Sequence, residues 1–391
     1  MYYSVATVMP QRAQRWDVFC SVIDNFGDAG VCWRLARQLV AEHALEVRLF
    51  VDALPALARI ARPLDVTRDD QLVDGVRLRQ WVGATSELSI ADPGDTVIEA
   101  FGCGLPEPYL AAMATRDRQP AWINLEYLSA EAWIDGCHGL ASRHPRRPLT
   151  RHFFFPGFTA ASGGLLRERG LFARRDAFLA DAKAHSELWH KLGIANPGKE
   201  TTIVSLFCYP HAPVASLLDA CAKCDQPILC LVPDGVAVSA IDAWSANVDV
   251  EQAITRGSLT LVRIPFLSQE DYDRLLWRCD INFVRGEDSF VRAQWAARPF
   301  VWQPYAQADN THRLKLEAFL ERYAERLPSD ADTGLRAFGS AWNGEAETGA
   351  SWDALMRARS ELSAHAKSWA EGLAALPDLA GNLVKFSADR V

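Results

Sequence analysis

The chain lacks the motifs that mark the commonest enzyme classes. It has no GxxxxGK[ST] loop to wrap a triphosphate, no HExxH pair to hold zinc and no GxSxG elbow to expose a serine. P-loop NTPase, zincin and α/β-hydrolase chemistry are therefore without their residues. A complete GxGxxG is missing as well. Gly102-Cys-Gly104 follows an apolar run, but the third glycine is absent and Pro106 and Pro108 break the helix a dinucleotide site needs. That segment reads as a tight turn at a strand end, which counts against a nicotinamide oxidoreductase. No apolar run approaches the ~18 residues that cross a bilayer. The opening MYYSVATVMPQRAQRWD holds no apolar core of signal-peptide length.

Positive charge is also in short supply. Lys+Arg 41 against Asp+Glu 49 leaves a net −8, no footprint for a nucleic acid or an anionic membrane. Of the 9 cysteines, Cys20, Cys103, Cys208 and Cys230 stand inside apolar runs as small core residues do. The one CxxC, Cys221-Ala-Lys-Cys224, has no second pair to complete a zinc site. This is the pattern of a reduced, cytoplasmic protein.

What is present is a chain of 391 residues, 49% hydrophobic and 23% charged, sized for two to three domains at roughly 150 residues each. Such a composition excludes a disordered chain. A buried strand is expected over residues 16–23, then a turn at Asp24-Asn-Phe-Gly-Asp28. A helix follows, because Cys32, Leu35, Ala36, Leu39 and Val40 repeat at helical spacing. Further strands are expected at 47–51, 76–81, 96–100, 121–125 and 149–155, with a short helix at 54–61. A charged, alanine-rich helical stretch over 160–197 ends at the breaker Asn196-Pro197-Gly198. A second series then begins, with strands at 202–208, 227–232, 258–265, 281–284 and 300–303. Helices are expected at 214–224, 268–277 and 289–296, and from there to the end. Alternation of this kind predicts an α/β protein of two facing, doubly wound Rossmann-like domains with a ligand cleft between them. The first domain is expected at 1–196, completed by a C-terminal helix near 369–391, and the second at 197–368.

Two strand-to-helix junctions carry candidate chemistry. In Asp24-Asn-Phe-Gly-Asp28-Ala-Gly30, two carboxylates stand four residues apart where a strand hands over to a helix. They suit general-base work, although an N-cap (Asp28) and an Asx-turn (Asp24) are the plain alternative. In Arg285-Gly-Glu-Asp-Ser289 a guanidinium and helix-start amides suit a diphosphate, the alternative being a capped helix with a surface ion pair. Phe207-Cys-Tyr209-Pro and Phe266-Leu-Ser-Gln269 end two other strands of that unit, where rings and an amide suit a nucleobase. Asp271-Tyr-Asp273 matches the metal-binding DxD of some sugar transferases, but also the capped first turn of a helix. Arg167, Arg169, Arg174 and Arg175 form a basic cluster, either a solvated face or a surface for an acidic partner.

Residues 16–39 (WDVFCSVIDNFGDAGVCWRLARQL), 155–168 (FPGFTAASGGLLRE), 207–210 (FCYP), 285–293 (RGEDSFVRA) and 302–305 (WQPY) resemble, in this order, the bacterial protein-arginine rhamnosyltransferase family EarP. The resemblance runs from Trp16 to the C-terminal helices. It implies an inverting glycosyltransferase of GT-B architecture that moves rhamnose from dTDP-β-L-rhamnose to an arginine of elongation factor P. Its implied nucleotide-sugar pocket holds Phe207, Tyr209, Phe266, Gln269 and Tyr305. Arg285, Glu287, Asp288 and Ser289 would surround the diphosphate and sugar, with Asp24 and Asp28 facing them. Asp28 is then the expected base, Asp24 its orienting partner and Glu287 an auxiliary, with no metal required and the two aspartates' roles open to exchange. A sugar-nucleotide epimerase or small-acceptor transferase on the same fold, and a non-catalytic nucleotide-sugar adaptor, are the rival readings.

Overall fold

The computed structural model describes residues 14–24, 26–61, 63–82, 92–245, 253–307, 309–344 and 348–390. Most of the first fifteen residues, Asn25 and Val391 thus lie outside the described residues.

The first half builds β1 (Arg15–Cys20), α1 (Phe26–His43), β2 (Glu46–Val51), α2 (Leu54–Ile60), β3 (Asp70–Val73), β4 (Val76–Gln80) and β5 (Thr96–Ala100). It continues with α3 (Glu107–Ala114), β6 (Ala121–Leu125), α4 (Ile134–Cys137), β7 (Ala141–Arg143) and β8 (Thr150–Phe154). These strands form one 8-stranded sheet in the order β3-β4-β2-β1-β5-β6-β8-β7. The inner strands run parallel, and β3 and β7 cap the edges antiparallel. Central strands are buried on both faces because helices cover both, and β5 and β6 bury every residue, the polar Thr96, Glu99 and Asn124 included. Asp17, at 0% exposure on β1, is met by the Arg48 guanidinium from β2, with Nε at 2.5 Å, and by the Gly94 amide at 2.7 Å.

Helices α5 (Leu171–Ala180) and α6 (Ala182–Lys191) follow, divided by Asp181, which caps α6; the single helix expected there is two. The second half then builds β9 (Thr202–Leu206), α7 (Val214–Ala222), β10 (Ile228–Pro233), α8 (Val238–Trp244), β11 (Ala253–Arg256), β12 (Leu259–Ile264) and α9 (Gln269–Arg278). It ends with β13 (Ile281–Arg285), α10 (Asp288–Ala296), β14 (Phe300–Gln303) and the helices α11 (Thr311–Ala324), α12 (Ser329–Trp342), α13 (Gly349–Arg357), α14 (Arg359–Ala374) and α15 (Leu379–Ala388). The second sheet is 6-stranded, β11-β12-β10-β9-β13-β14, antiparallel only at the β11 edge. Two separate doubly wound sheets make this the GT-B architecture.

Chain crossings join the halves. Helices α5 and α6 pack on α9 of the second half, and α15 returns to α1. Ser387 of α15 bonds Thr96 of β5 at 2.5 Å, and Phe386 packs edge-on against Phe154. Two of the clustered arginines serve the same joint. Arg167 donates to the carbonyls of Ala374 and Leu376, and Arg175 to that of Trp295. These contacts occupy them structurally. Cys221 and Cys224 are free thiols, Cys221 buried and Cys224 accepting from the Trp352 indole at 3.3 Å. Phe101, Gly102 and Gly104 all have positive φ, which is the tight turn after β5.

Candidate active site

In a doubly wound sheet, ligands gather where the strand order reverses, at the carboxyl ends. In the first sheet that point lies between β1 and β5; in the second it lies between β9 and β13. The two points face each other across the cleft. Asp24 and Asp28 follow β1, Phe207 and Tyr209 follow β9, and Arg285 ends β13 with Gly286 to Ser289 after it.

The expected turn at 24–28 is largely helix. α1 starts at Phe26, so Gly27 and Asp28 lie in its first turn. Asp28, 2% exposed, folds its Oδ2 back to accept the amides of Ile23 and Asp24, each at 2.8 Å. It therefore ties the loop to the helix rather than capping helix amides. Burial pushes its carboxyl up, and the two amides and the Tyr127 hydroxyl oppose this. The Tyr127 ring stacks on Phe101 at 4.4 Å, with the Lys315 ammonium 5.5 Å away. Neither Tyr127 nor Lys315 was expected from the sequence.

Asp24 is half-buried and reaches the other domain, accepting the Tyr209 hydroxyl on Oδ2 at 2.5 Å. Burial raises its carboxyl to about 6, while Tyr209 and Arg285 pull it down. Two glycines make room for that carboxylate. A Cβ on Gly27 would lie 2.6 Å from Asp24 Oδ2, and one on Gly286, at φ +58, would also collide with it. Glu287 accepts the Leu128 amide at 2.8 Å. Burial lifts it to about 8, with the negative charges of Asp28 and Asp24 adding to the rise and Lys315 opposing it.

On the second domain's side, the Arg285 guanidinium lies 4.4 Å from the Phe207 ring and 4.7 Å from the Tyr209 ring, and donates to the Cys208 carbonyl at 2.9 Å. No side chain caps α10, so its first-turn amides are open to an anion, unlike those of α9, where Ser268 accepts from the Asp271 amide. Ser289 is turned inward, its hydroxyl bonded to the backbone of Arg285. Phe266 packs on Phe26 at 4.8 Å, with the Arg59 guanidinium 4.4 Å from its ring.

Asp24, Phe207, Phe266, Gln269, Arg285, Asp288 and Ser289 line one cavity of ≈ 60 Å³. The buried Oε1 of Gln269 has no partner there, a polar atom awaiting one. Ligand pockets run to about 300 Å³ or more, so this cavity is smaller than a typical ligand site. Tyr209 stands beside this cavity, and Tyr305, 44% exposed, packs edge-on against Tyr209 at the rim. A larger groove of ≈ 1140 Å³ behind α1 is walled by charges already paired with one another, Arg37 with Asp74 and Glu270, and Arg274 with Asp271.

The DxD residues are consumed elsewhere. Lys191 and Arg274 hold Asp271, while Arg34 and Arg292 hold Asp273. Among the described residues, no cluster of His, Cys, Asp and Glu is arranged to bind a metal, and no helix is long and apolar enough to cross a membrane.

The sequence profile of the Elongation-Factor P (EF-P) rhamnosyltransferase EarP matches residues 16–388. The chain belongs to this family. A protein-arginine rhamnosyltransferase of Pseudomonas putida is 50% identical over 374 residues, covering 95% of this chain and 98% of that protein. One of Pseudomonas aeruginosa is 47% identical over 376 residues, covering 96% and 99%. A solved structure described as the structural basis for EarP-mediated arginine glycosylation of translation elongation factor EF-P superposes with a TM-score of 0.68. It is 38% identical and covers 97% of this chain and 100% of that one. The spinosyn rhamnosyltransferase SpnG complexed with thymidine diphosphate, 12% identical with a TM-score of 0.50, covers 95% and 99% and shares the fold alone. The chain is thus a glycosyltransferase that rhamnosylates arginine, and neither rival reading describes its family.

Proposed function

We propose that the chain transfers L-rhamnose from dTDP-β-L-rhamnose to one arginine side chain of elongation factor P, with inversion at the anomeric carbon. A translation factor as acceptor sets the reaction in the cytoplasm. The observation that carries this reading is the meeting of three carboxylates, Asp24, Asp28 and Glu287, with Arg285 and the uncapped start of α10 in one cleft. The 38% identical structure concerned with EF-P supports the acceptor.

A free guanidinium has a pKa above ~12 and is a poor nucleophile until it sheds a proton. Carboxylates beside it hold the cation by charge-assisted bonds and accept that proton as the C–N bond forms. In this reading a guanidinium nitrogen attacks C1 of the rhamnose as the C–O bond to the diphosphate breaks. The proton passes to Asp28, which two amides keep oriented, and the β-linked donor sugar becomes an α-linked product. Asp24 orients the guanidinium. Glu287, raised to about 8, ionises when the incoming cation replaces its proton. Arg285 and the α10 amides take up the charge growing on the diphosphate. Phe207, Tyr209, Phe266, Gln269, Asp288 and Ser289 enclose the nucleotide sugar, and Tyr305 closes its rim. The pairing of Asp271 and Asp273 with cations favours a metal-free reaction.

The deciding experiment is the intact mass of elongation factor P after incubation with this protein, dTDP-rhamnose and a chelator. A gain of one deoxyhexose is expected. A converted donor with no mass gain would instead favour an epimerase.

A further inference from the structure

Helix α1 does more than carry Asp28. Six residues on, at 4% exposure, Arg34 leaves its own domain and enters a cluster of carboxylates from the other side of the seam. Its Nε donates to Asp288 Oδ1 at 2.8 Å, and its terminal nitrogens donate to Asp273 at 3.2 and 3.3 Å. Arg292 grips the same Asp273 at 2.6 and 2.9 Å and Glu168 at 2.7 Å. Burial would raise Glu168, yet Arg292 and Arg34 hold it down at about 2. The helices touch closely here. A Cβ on Gly30 would lie 3.1 Å from Asp288 Oδ2, and Gln269 Nε2 bridges the Gly30 carbonyl at 3.1 Å and that same Oδ2 at 3.3 Å.

A buried ionic network is a poor source of net stability, because desolvation offsets most of its attraction. Its planar, bidentate bonds fix geometry instead. Asp288 directly follows Glu287 and begins α10, so whatever holds Asp288 also holds Glu287 and the Arg285 loop. We propose that Arg34 is a positioning residue: its fork sets α1 against α10 and thereby keeps Asp28 opposite Glu287 and the diphosphate-facing loop. Arg34 does not line the cavity that Asp24, Arg285 and Asp288 line. This rests on the reading of Asp28 and Glu287 given above.

The test uses Arg34→Lys, which keeps the charge and loses the fork, and Arg34→Gln, which loses both. Rhamnosylation of elongation factor P is followed by intact mass, donor affinity by calorimetry, folding by a thermal melt and local order by hydrogen exchange. Misplacement by about 1 Å costs on the order of 10²-fold, so kcat should fall roughly 100-fold in Arg34→Gln and about 10-fold in Arg34→Lys. Donor affinity should weaken by a smaller factor than kcat, because Asp288 and the Arg285 loop shift while the aromatic walls stay in place. Amides 26–30 and 286–290 should exchange faster in both variants while those of β1 and β5 do not. Should Arg34→Gln fail to fold, Arg34→Lys carries the comparison. A folded Arg34→Lys with wild-type kcat overturns the proposal, as does a lower melt with kcat per folded molecule unchanged. If the wild type modifies no elongation factor P, the proposed function fails, and the exchange data decide on Arg34 alone: unchanged exchange at 286–290 in Arg34→Lys overturns the positioning role, faster exchange supports it.

Discussion

Tyr209 of the second domain donates its hydroxyl to Asp24 of the first at 2.5 Å. The bond crosses the cleft, so one contact joins the aromatic wall of the second domain to a carboxylate of the first. It also lowers the Asp24 carboxyl against the upward push of burial. Removing the hydroxyl therefore moves Asp24 above its present value of about 6. In Tyr209→Phe the acidic limb of the kcat profile should shift to higher pH, because more base is then needed to ionise Asp24. Donor affinity should change little, since the ring remains. An unshifted limb in this variant would separate Asp24 ionisation from turnover.

Donor binding should depend on the second domain. Phe207→Ala or Tyr209→Ala removes a ring of the kind on which nucleobases stack, worth roughly 1–3 kcal/mol each. Asp288→Ala should weaken binding too, since Asp288 lines the cavity. Calorimetry with dTDP-rhamnose, with and without chelator, makes the check. Unchanged affinity in all three variants would refute the pocket, and a chelator effect would refute the metal-free reading.

Glu287 links the site to stability. Its folded carboxyl titrates near 8 against an ordinary 4.5, so between these values the native state binds more protons than the unfolded chain. Stability from this group is fully present below about 4.5 and declines as pH rises toward 8. Glu287→Gln cannot ionise and should lose that slope. Thermal melts across this range should find the variant's advantage over wild type growing with pH and levelling near 8. An advantage that shrinks with rising pH would contradict the direction of the shift.

Much of this was legible in the sequence, and what was missed has a physical cause. Strands β5, β6 and β14 fall on the residues expected, because parallel strands buried on both faces are mostly apolar, with only Thr96, Glu99, Asn124 and Gln303 polar among them. Edge strands β3, β7 and β11 were not expected. They are short, β7 and β11 are largely exposed, and all three carry too little apolar alternation to register. Gly27 made residues 24–28 look like a turn, but its missing Cβ serves the Asp24 carboxylate while the helix continues through it. Asp24 and Asp28 stood out because they lie at a strand-to-helix junction, whereas Glu287 entered only through the family resemblance. Arg34 did not stand out, because in sequence it is an ordinary polar helix position and its partner Asp273 lies 239 residues away. Only the tertiary seam gives it meaning.

The remaining prediction separates catalysis from binding at the two aspartates. If Asp28 takes the guanidinium proton, Asp28→Asn deletes the base while its side-chain oxygen can still accept the Ile23 and Asp24 amides that Oδ2 holds at 2.8 Å. The loop therefore keeps its shape. Turnover should fall by the ~10²–10⁴-fold typical of a lost general base. Donor affinity should hardly change, because Asp28 is absent from the cavity that Phe207, Phe266 and Arg285 line. Asp24→Asn should also impair transfer, through lost orientation, and it retains an oxygen to accept the Tyr209 hydroxyl. The readings are rhamnosylated elongation factor P by intact mass, donor titration and a thermal melt on each variant. Near-normal transfer by Asp28→Asn together with a collapse in Asp24→Asn would exchange the two roles. A collapsed melt in both would make these carboxylates supports of the β1–α1 junction, since a base can be removed without unfolding the protein and a structural clasp cannot.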